Sequence, residues 1–175
     1  MMEIINLVAS LLILAFLLYV VALLSYSMFR GAPYAVVGKK RLATIIELLQ
    51  IQPGQKIADL GSGDGRIVIA CAERGAKARG YEINPLLVGI SRIKINKSGV
   101  KNAQILQKDY WRADLSECDS ITLYGVTYMM GRLEKKLQKE LRPGSRVVSN
   151  HFKFPTLKIL MSKNDVHLYV IKKDT

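Results

Sequence analysis

Apolar residues fall along this chain in three rhythms. From Ile4 to Phe29 they run almost without interruption, 26 positions free of charge that include LVASLLILAFLLYVVALL from Leu7 to Leu24. A helix of that length spans about 39 Å at 1.5 Å per residue, more than the roughly 30 Å hydrocarbon core, so the pattern predicts one transmembrane helix. Between Lys39 and Gln50 the apolar positions Leu42, Ile45, Ile46, Leu48 and Leu49 return at helical spacing, and Pro53-Gly54 ends that segment. Beyond Lys56, short apolar runs alternate with helical stretches.

That alternation predicts strands at Ile57–Leu60, Ala78–Glu82, Gln104–Gln107, Ile121–Tyr124 and Arg146–Ser149. Helices are expected after the first strand through Arg74, from Pro85 to about Lys97, and from Gly131 to Leu141. Pro85 suits a first helical position, and Ser98-Gly99 a helix end. Leu157–Met161 and Val166–Ile171, joined by Ser162 to Asp165, read as a closing hairpin. The boundaries follow: an anchor over 1–30, a turn and helix over 31–55, and an α/β domain over 56–175.

Charge sharpens this division. All 26 Lys and Arg lie at or beyond Arg30, with 13 of the 14 acids, so the chain beyond the apolar run carries a formal +13. Met1-Met2-Glu3 is no basic n-region and the apolar run is too long for a cleaved signal, which favours a retained helix. Arg30, Lys39, Lys40 and Arg41 follow that helix, so the positive-inside rule predicts a single-pass protein with its domain in the cytoplasm. The positive surface is read as a solvated face or as docking to anionic lipid headgroups. Cys71 and Cys118 are isolated, which points away from a metal site; Cys71 reads as a small core residue.

Candidate chemistry centres on Ile57 to Arg66, IADLGSGDGR. Asp59 precedes Gly61, Gly63 and Gly65, a glycine turn between a strand and a helix that lets backbone approach a ligand at the strand's carboxyl end. The third glycine comes one place too early for a dinucleotide fingerprint, and a carboxylate at Asp59 opposes pyrophosphate while suiting a cationic sulfonium ligand with an ammonium group. Glu82, 23 residues on, ends the second strand, where its carboxylate can accept both hydroxyls of a ribose.

These residues resemble the class I S-adenosylmethionine-dependent methyltransferases, from about Lys56 onward. The resemblance implies a Rossmann-like, doubly wound seven-stranded sheet with an antiparallel C-terminal hairpin, and S-adenosylmethionine as cofactor without a metal. It implies cofactor contacts at Asp59, Gly61, Ser62, Gly63, Gly65 and Glu82. It also implies Asp109 as acceptor for the adenine amino group with Tyr110 beside the ring; the other reading of Asp109 is a helix or turn cap, and Trp111 reads equally as core.

The apolar helix, the Gly31-Ala32-Pro33-Tyr34 turn, DLGSGDGRIVIACAERGAKARGYEIN, KDYWRADLS, TLYG and RPGSRVVSNHF together look like one branch. This is the small membrane-anchored protein-lysine methyltransferases, whose mitochondrial members modify the ATP synthase c subunit and the adenine nucleotide translocase. Ala35-Val36-Val37 departs from the second proline with Ser or Thr expected there, and the N-terminus is not transit-like, so the chain looks like a prokaryotic relative. The partners this implies are the bilayer, through residues 4–29, and a membrane protein with an accessible lysine. Tyr124 is a candidate contact to the acceptor amine and His151 a candidate base or a structural imidazole. Tyr34 is a candidate at the cofactor mouth or an interfacial aromatic anchor. Absence of an N-P-P-[YFW] tetrapeptide counts against methylation of nucleic-acid bases. Alternatives are methylation of a lipid or quinone headgroup, and a non-catalytic membrane adaptor that keeps the fold.

Overall fold

The computed structural model describes the backbone of residues 1–30 and 36–172, and the side chains of these except 23–30. The chain divides into two compact units, 1–33 and 34–175. In the first, α1 (Met2–Arg30) is a single helix whose apolar side chains stand exposed on every side from Ile4 to Tyr19. It is long and apolar enough to cross a membrane.

The second unit alternates strands and helices in the expected order. After α2 (Lys39–Leu49) come β1 (Lys56–Leu60), α3 (Arg66–Ala72), β2 (Lys77–Glu82), α4 (Pro85–Ser98) and β3 (Ala103–Gln107). A 3₁₀ turn at Tyr110–Arg112 leads to β4 (Ser120–Leu123), α5 (Thr127–Glu140), β5 (Arg146–Asn150), β6 (Met161–Lys163) and β7 (Val166–Val170). The sheet has seven strands in the order β3-β2-β1-β4-β5-β7-β6, parallel except for β7, which runs antiparallel to both its neighbours. Order reverses at β1, so the carboxyl ends of β1, β2 and β4 frame a crevice of the kind that holds ligands in open α/β sheets.

Local chemistry explains the elements. Asn84 caps α4 by accepting from the Leu86 amide at 3.0 Å, with Pro85 in the first turn, and Gly99 at φ 76° ends it. Each sheet face buries its own apolar cluster. Ile45, Leu49, Val68 and Cys71 pack on one side, and Ile121, Leu133, Leu137 and Tyr169 on the other. Cys71 is the core residue expected, and burial pushes its thiol up to about 12.

Two element starts differ from the pattern reading by four residues. The fifth helix starts at Thr127 rather than Gly131. The hairpin's first strand starts at Met161, because the segment before it is fastened elsewhere: buried Glu134 of α5 accepts from the Thr156 hydroxyl at 2.8 Å and from the Thr156 and Leu157 amides at 3.1 and 2.5 Å. Asn164 and Asp165, both at positive φ (51° and 62°), then turn the chain from β6 into β7, the two-residue geometry whose twist matches the strands.

Candidate active site

The turn after β1 is built by backbone. Gly61, Gly63 and Gly65 have φ of 79°, 53° and 78°, a region open to glycine and costly for other residues. Gly61 and Ser62 amides both donate to the Tyr81 carbonyl, at 2.9 and 3.0 Å, and the Gly65 amide to that of Ser62 at 2.9 Å. Gly80 allows this approach: a Cβ there would fall 2.5 Å from Ser62 Oγ and 2.6 Å from Ile105 Cδ1. Glu82 completes the frame, accepting from the Gly63 amide at 2.9 Å and from the Ile83 and Asn84 amides at 2.8 Å each. The expected ribose acceptor is thus also the clasp between β2 and the turn.

Asp59 is 4% exposed, and strand register sets Thr122 beside it, whose hydroxyl donates at 2.6 Å. Burial pushes the Asp59 carboxyl up to about 7; the Thr122 hydrogen bond opposes this, and negative charge at Glu82 and Asp64 adds to it. Asp64 behaves in the opposite way. Burial alone would raise it, but hydrogen bonds from Arg66 and Lys94, at 2.6 and 2.5 Å, hold its carboxyl well below the usual range. Arg66 also reaches the Val37 carbonyl at 2.7 Å, tying the turn to the segment ahead of α2. Beyond β3, Asp109 Oδ1 accepts from the Trp111 amide at 2.9 Å and so caps the 3₁₀ turn. Tyr110, half-buried, lies 5.1 Å from the Trp111 ring, and burial raises its hydroxyl.

The acceptor candidates fall at the ends of β4 and β5. Phe152 bridges Tyr124 and His151, edge-on to Tyr124 at 5.6 Å and to His151 at 4.7 Å. Tyr34 lies outside the described residues. Sequence reasoning missed Thr122, Phe152 and Asp165, the last hydrogen-bonded to His151 Nδ1. Strand parity would have found Thr122, which shares a face with Asp59 once β1 and β4 are paired. Among the described residues no group of three or more His, Cys, Asp or Glu is arranged to hold a metal ion.

A buried carboxyl hydrogen-bonded by a neutral hydroxyl, beside a glycine turn and a second acid, fits a ligand carrying positive charge. Of the three buried side-chain oxygens without partners among the described residues, Ser62 Oγ and Asn150 Oδ1 are further polar atoms at the carboxyl ends of the strands. With this strand order, the arrangement defines the class I S-adenosylmethionine-dependent methyltransferase fold. A Salinibacter ruber protein described as an RNA methyltransferase, solved with S-adenosyl-L-homocysteine, superposes with TM-score 0.76 at 31% identity, over 81% of this chain and 96% of that one.

Residues 59–160 match the family model described as the ANTKMT methyltransferase domain, and the chain belongs to that family. It is 40% identical over 124 residues to the Homo sapiens lysine N-methyltransferase of the ATP synthase c subunit, covering 70% of this chain and 53% of that protein. It is 40% identical over 126 residues to the Mus musculus adenine nucleotide translocase lysine N-methyltransferase, covering 71% and 55%. The chain thus spans about half the length of these relatives.

Proposed function

We propose that this protein is an S-adenosylmethionine-dependent protein-lysine N-methyltransferase held at a membrane by residues 4–29, with its domain on the cytoplasmic side. The observation that carries the reading is the pair of buried acids, Asp59 and Glu82, flanking a turn of left-handed glycines in a chain 40% identical to lysine N-methyltransferases. Asp59, Gly61, Ser62, Gly63, Gly65, Glu82, Asp109 and Tyr110 would hold the cofactor, which supplies an electrophilic methyl group on a sulfonium. The basic residues from the end of α1 onward, Arg30, Lys39, Lys40 and Arg41, support the orientation, and the +13 charge supports attraction to anionic lipid.

The chain's own task is positioning and proton removal. Holding amine and methyl roughly 3 to 3.5 Å apart turns an encounter into an effectively unimolecular step. A lysine amine attacks only when deprotonated. Tyr124 and Phe152 offer an aromatic wall that lowers the cost of the neutral amine, and His151, whose side chain is 47% exposed, can take the proton and pass it to water.

The full chain is to be titrated calorimetrically with S-adenosylmethionine and S-adenosylhomocysteine, then given methyl-tritiated S-adenosylmethionine with membrane-protein, lipid and RNA fractions. Saturable binding with label on protein lysines is the expected outcome. Label in lipid would move the acceptor to a headgroup, and label in RNA would give the chain the acceptor class of the Salinibacter relative. A folded chain that binds neither compound would leave a membrane adaptor.

A further inference from the structure

His151 is held in a conformation that costs energy. Its φ is 77°, in the left-handed region that L side chains rarely adopt. Such residues persist where their surroundings over-determine them, and they cluster at functional sites. Three hydrogen bonds do this here, all to the hairpin. The His151 amide donates to the Asp165 carbonyl at 2.8 Å. Its carbonyl accepts from His167 Nε2 at 3.2 Å, and its Nδ1 meets Asp165 Oδ2.

The tautomers follow. A carbonyl only accepts, so His167 carries its proton on Nε2 and its Nδ1 is left to accept from the Ser162 hydroxyl at 2.9 Å. His167, 3% exposed, is part of the scaffold. The carboxylate of Asp165 likewise only accepts, so His151 carries a proton on Nδ1, and its Nε2 is the nitrogen with a free lone pair. The ring stands edge-on to Phe152, at the carboxyl end of β5.

We propose that Asp165 is a positioning residue that fixes the tautomer and direction of His151, so that Nε2 accepts the proton released by the acceptor amine before methyl transfer. The step balances: the ammonium N–H bond breaks, its electron pair stays on the amine nitrogen, and the proton forms a new bond to Nε2, giving an imidazolium that returns it to water. This inference rests on the amine-methyltransferase reading. The charged and titratable groups facing the imidazole are Asp165 itself, Arg41 of α2, 3.3 Å from Asp165 Oδ2, and His167 of β7. The His151 hydrogen bond lowers the Asp165 carboxyl, with smaller help from Arg41 and His167.

The test uses the full chain as wild type, Asp165→Asn, Asp165→Gly and His151→Asn. Asn and Gly both tolerate the left-handed conformation, so the hairpin keeps its turn while the carboxylate is lost. Methyl transfer to the membrane-protein fraction is followed across pH 5–9. The two imidazoles, the only ones in the sequence, are titrated by NMR and assigned with His151→Asn. The wild-type rate is expected to rise with pH alongside the His151 titration. Both Asp165 variants are expected to move rate profile and titration together to lower pH, with turnover down about tenfold and S-adenosylhomocysteine affinity unchanged. His151→Asn should lose the acidic limb. An active wild type whose profile is the same in both Asp165 variants would overturn the proposal, as would a titration that moves while the profile stays. An inactive wild type that does not bind S-adenosylhomocysteine would instead overturn the reading beneath it.

Discussion

At the scale of single residues, Asp59 sets binding against stability. Its carboxyl titrates near 7 when folded against 3.8 ordinarily, so between those values the native state holds a proton that the unfolded chain has released. Stability of the unliganded protein therefore falls as pH rises through that window. Asp59→Asn removes the buried charge, and the melting temperature is expected to rise at pH 8 by an amount equivalent to a few kcal/mol, with little change at pH 4. The same variant should bind S-adenosylmethionine at least about tenfold more weakly, since a hydrogen bond between charged groups is lost. Thermal melts at both pH values, with calorimetry, check the two halves. Much at this scale was legible: the three glycines and two acids announced themselves by spacing. Thr122, Phe152 and Asp165 did not. Their relevance arises from strand register and from a hairpin turn 14 residues beyond His151, and no local pattern encodes either. Asp109 caps the 3₁₀ turn through Oδ1, and Glu82 gained a structural duty that its place at a strand end did not suggest.

At the scale of elements, periodicity located the helices and strands of the second unit except the first strand of the hairpin, which shares only Met161 with the expected one. The helix before β5 begins four residues early because its first turn, Thr127 to Met130, buries Met129 and Met130. The hairpin's first strand was placed too early because Leu157 and Ile159 look like strand residues; instead they pack into the α5-side core from a loop that Glu134 fastens. Glu134→Ala would leave the Thr156 and Leu157 amides without their acceptor. It is expected to cost about 2–4 kcal/mol in urea unfolding at neutral pH, with most of the loss recovered in Glu134→Gln, whose amide oxygen can still accept.

At the scale of the whole molecule, the two units invite separate treatment. Residues 34–175 hold both apolar clusters and every described member of the proposed site, so a chain of these residues is expected to bind S-adenosylhomocysteine within about twofold of the full protein, and to stay in the supernatant where the full protein sediments with membranes. Alkaline extraction followed by calorimetry on both forms checks this. Loss of binding on truncation would give residues 1–33 a part in the site.

The clasp of Glu82 and the doubly bonded Tyr81 carbonyl has a kinetic corollary. A turn already fixed by six hydrogen bonds from backbone amides needs no ordering when its occupant arrives, so little distinguishes the approach of fresh cofactor from that of the spent thioether. For the methyltransferase proposed above, product inhibition is therefore expected, with throughput in a cell following the ratio of the two compounds rather than the supply of either one.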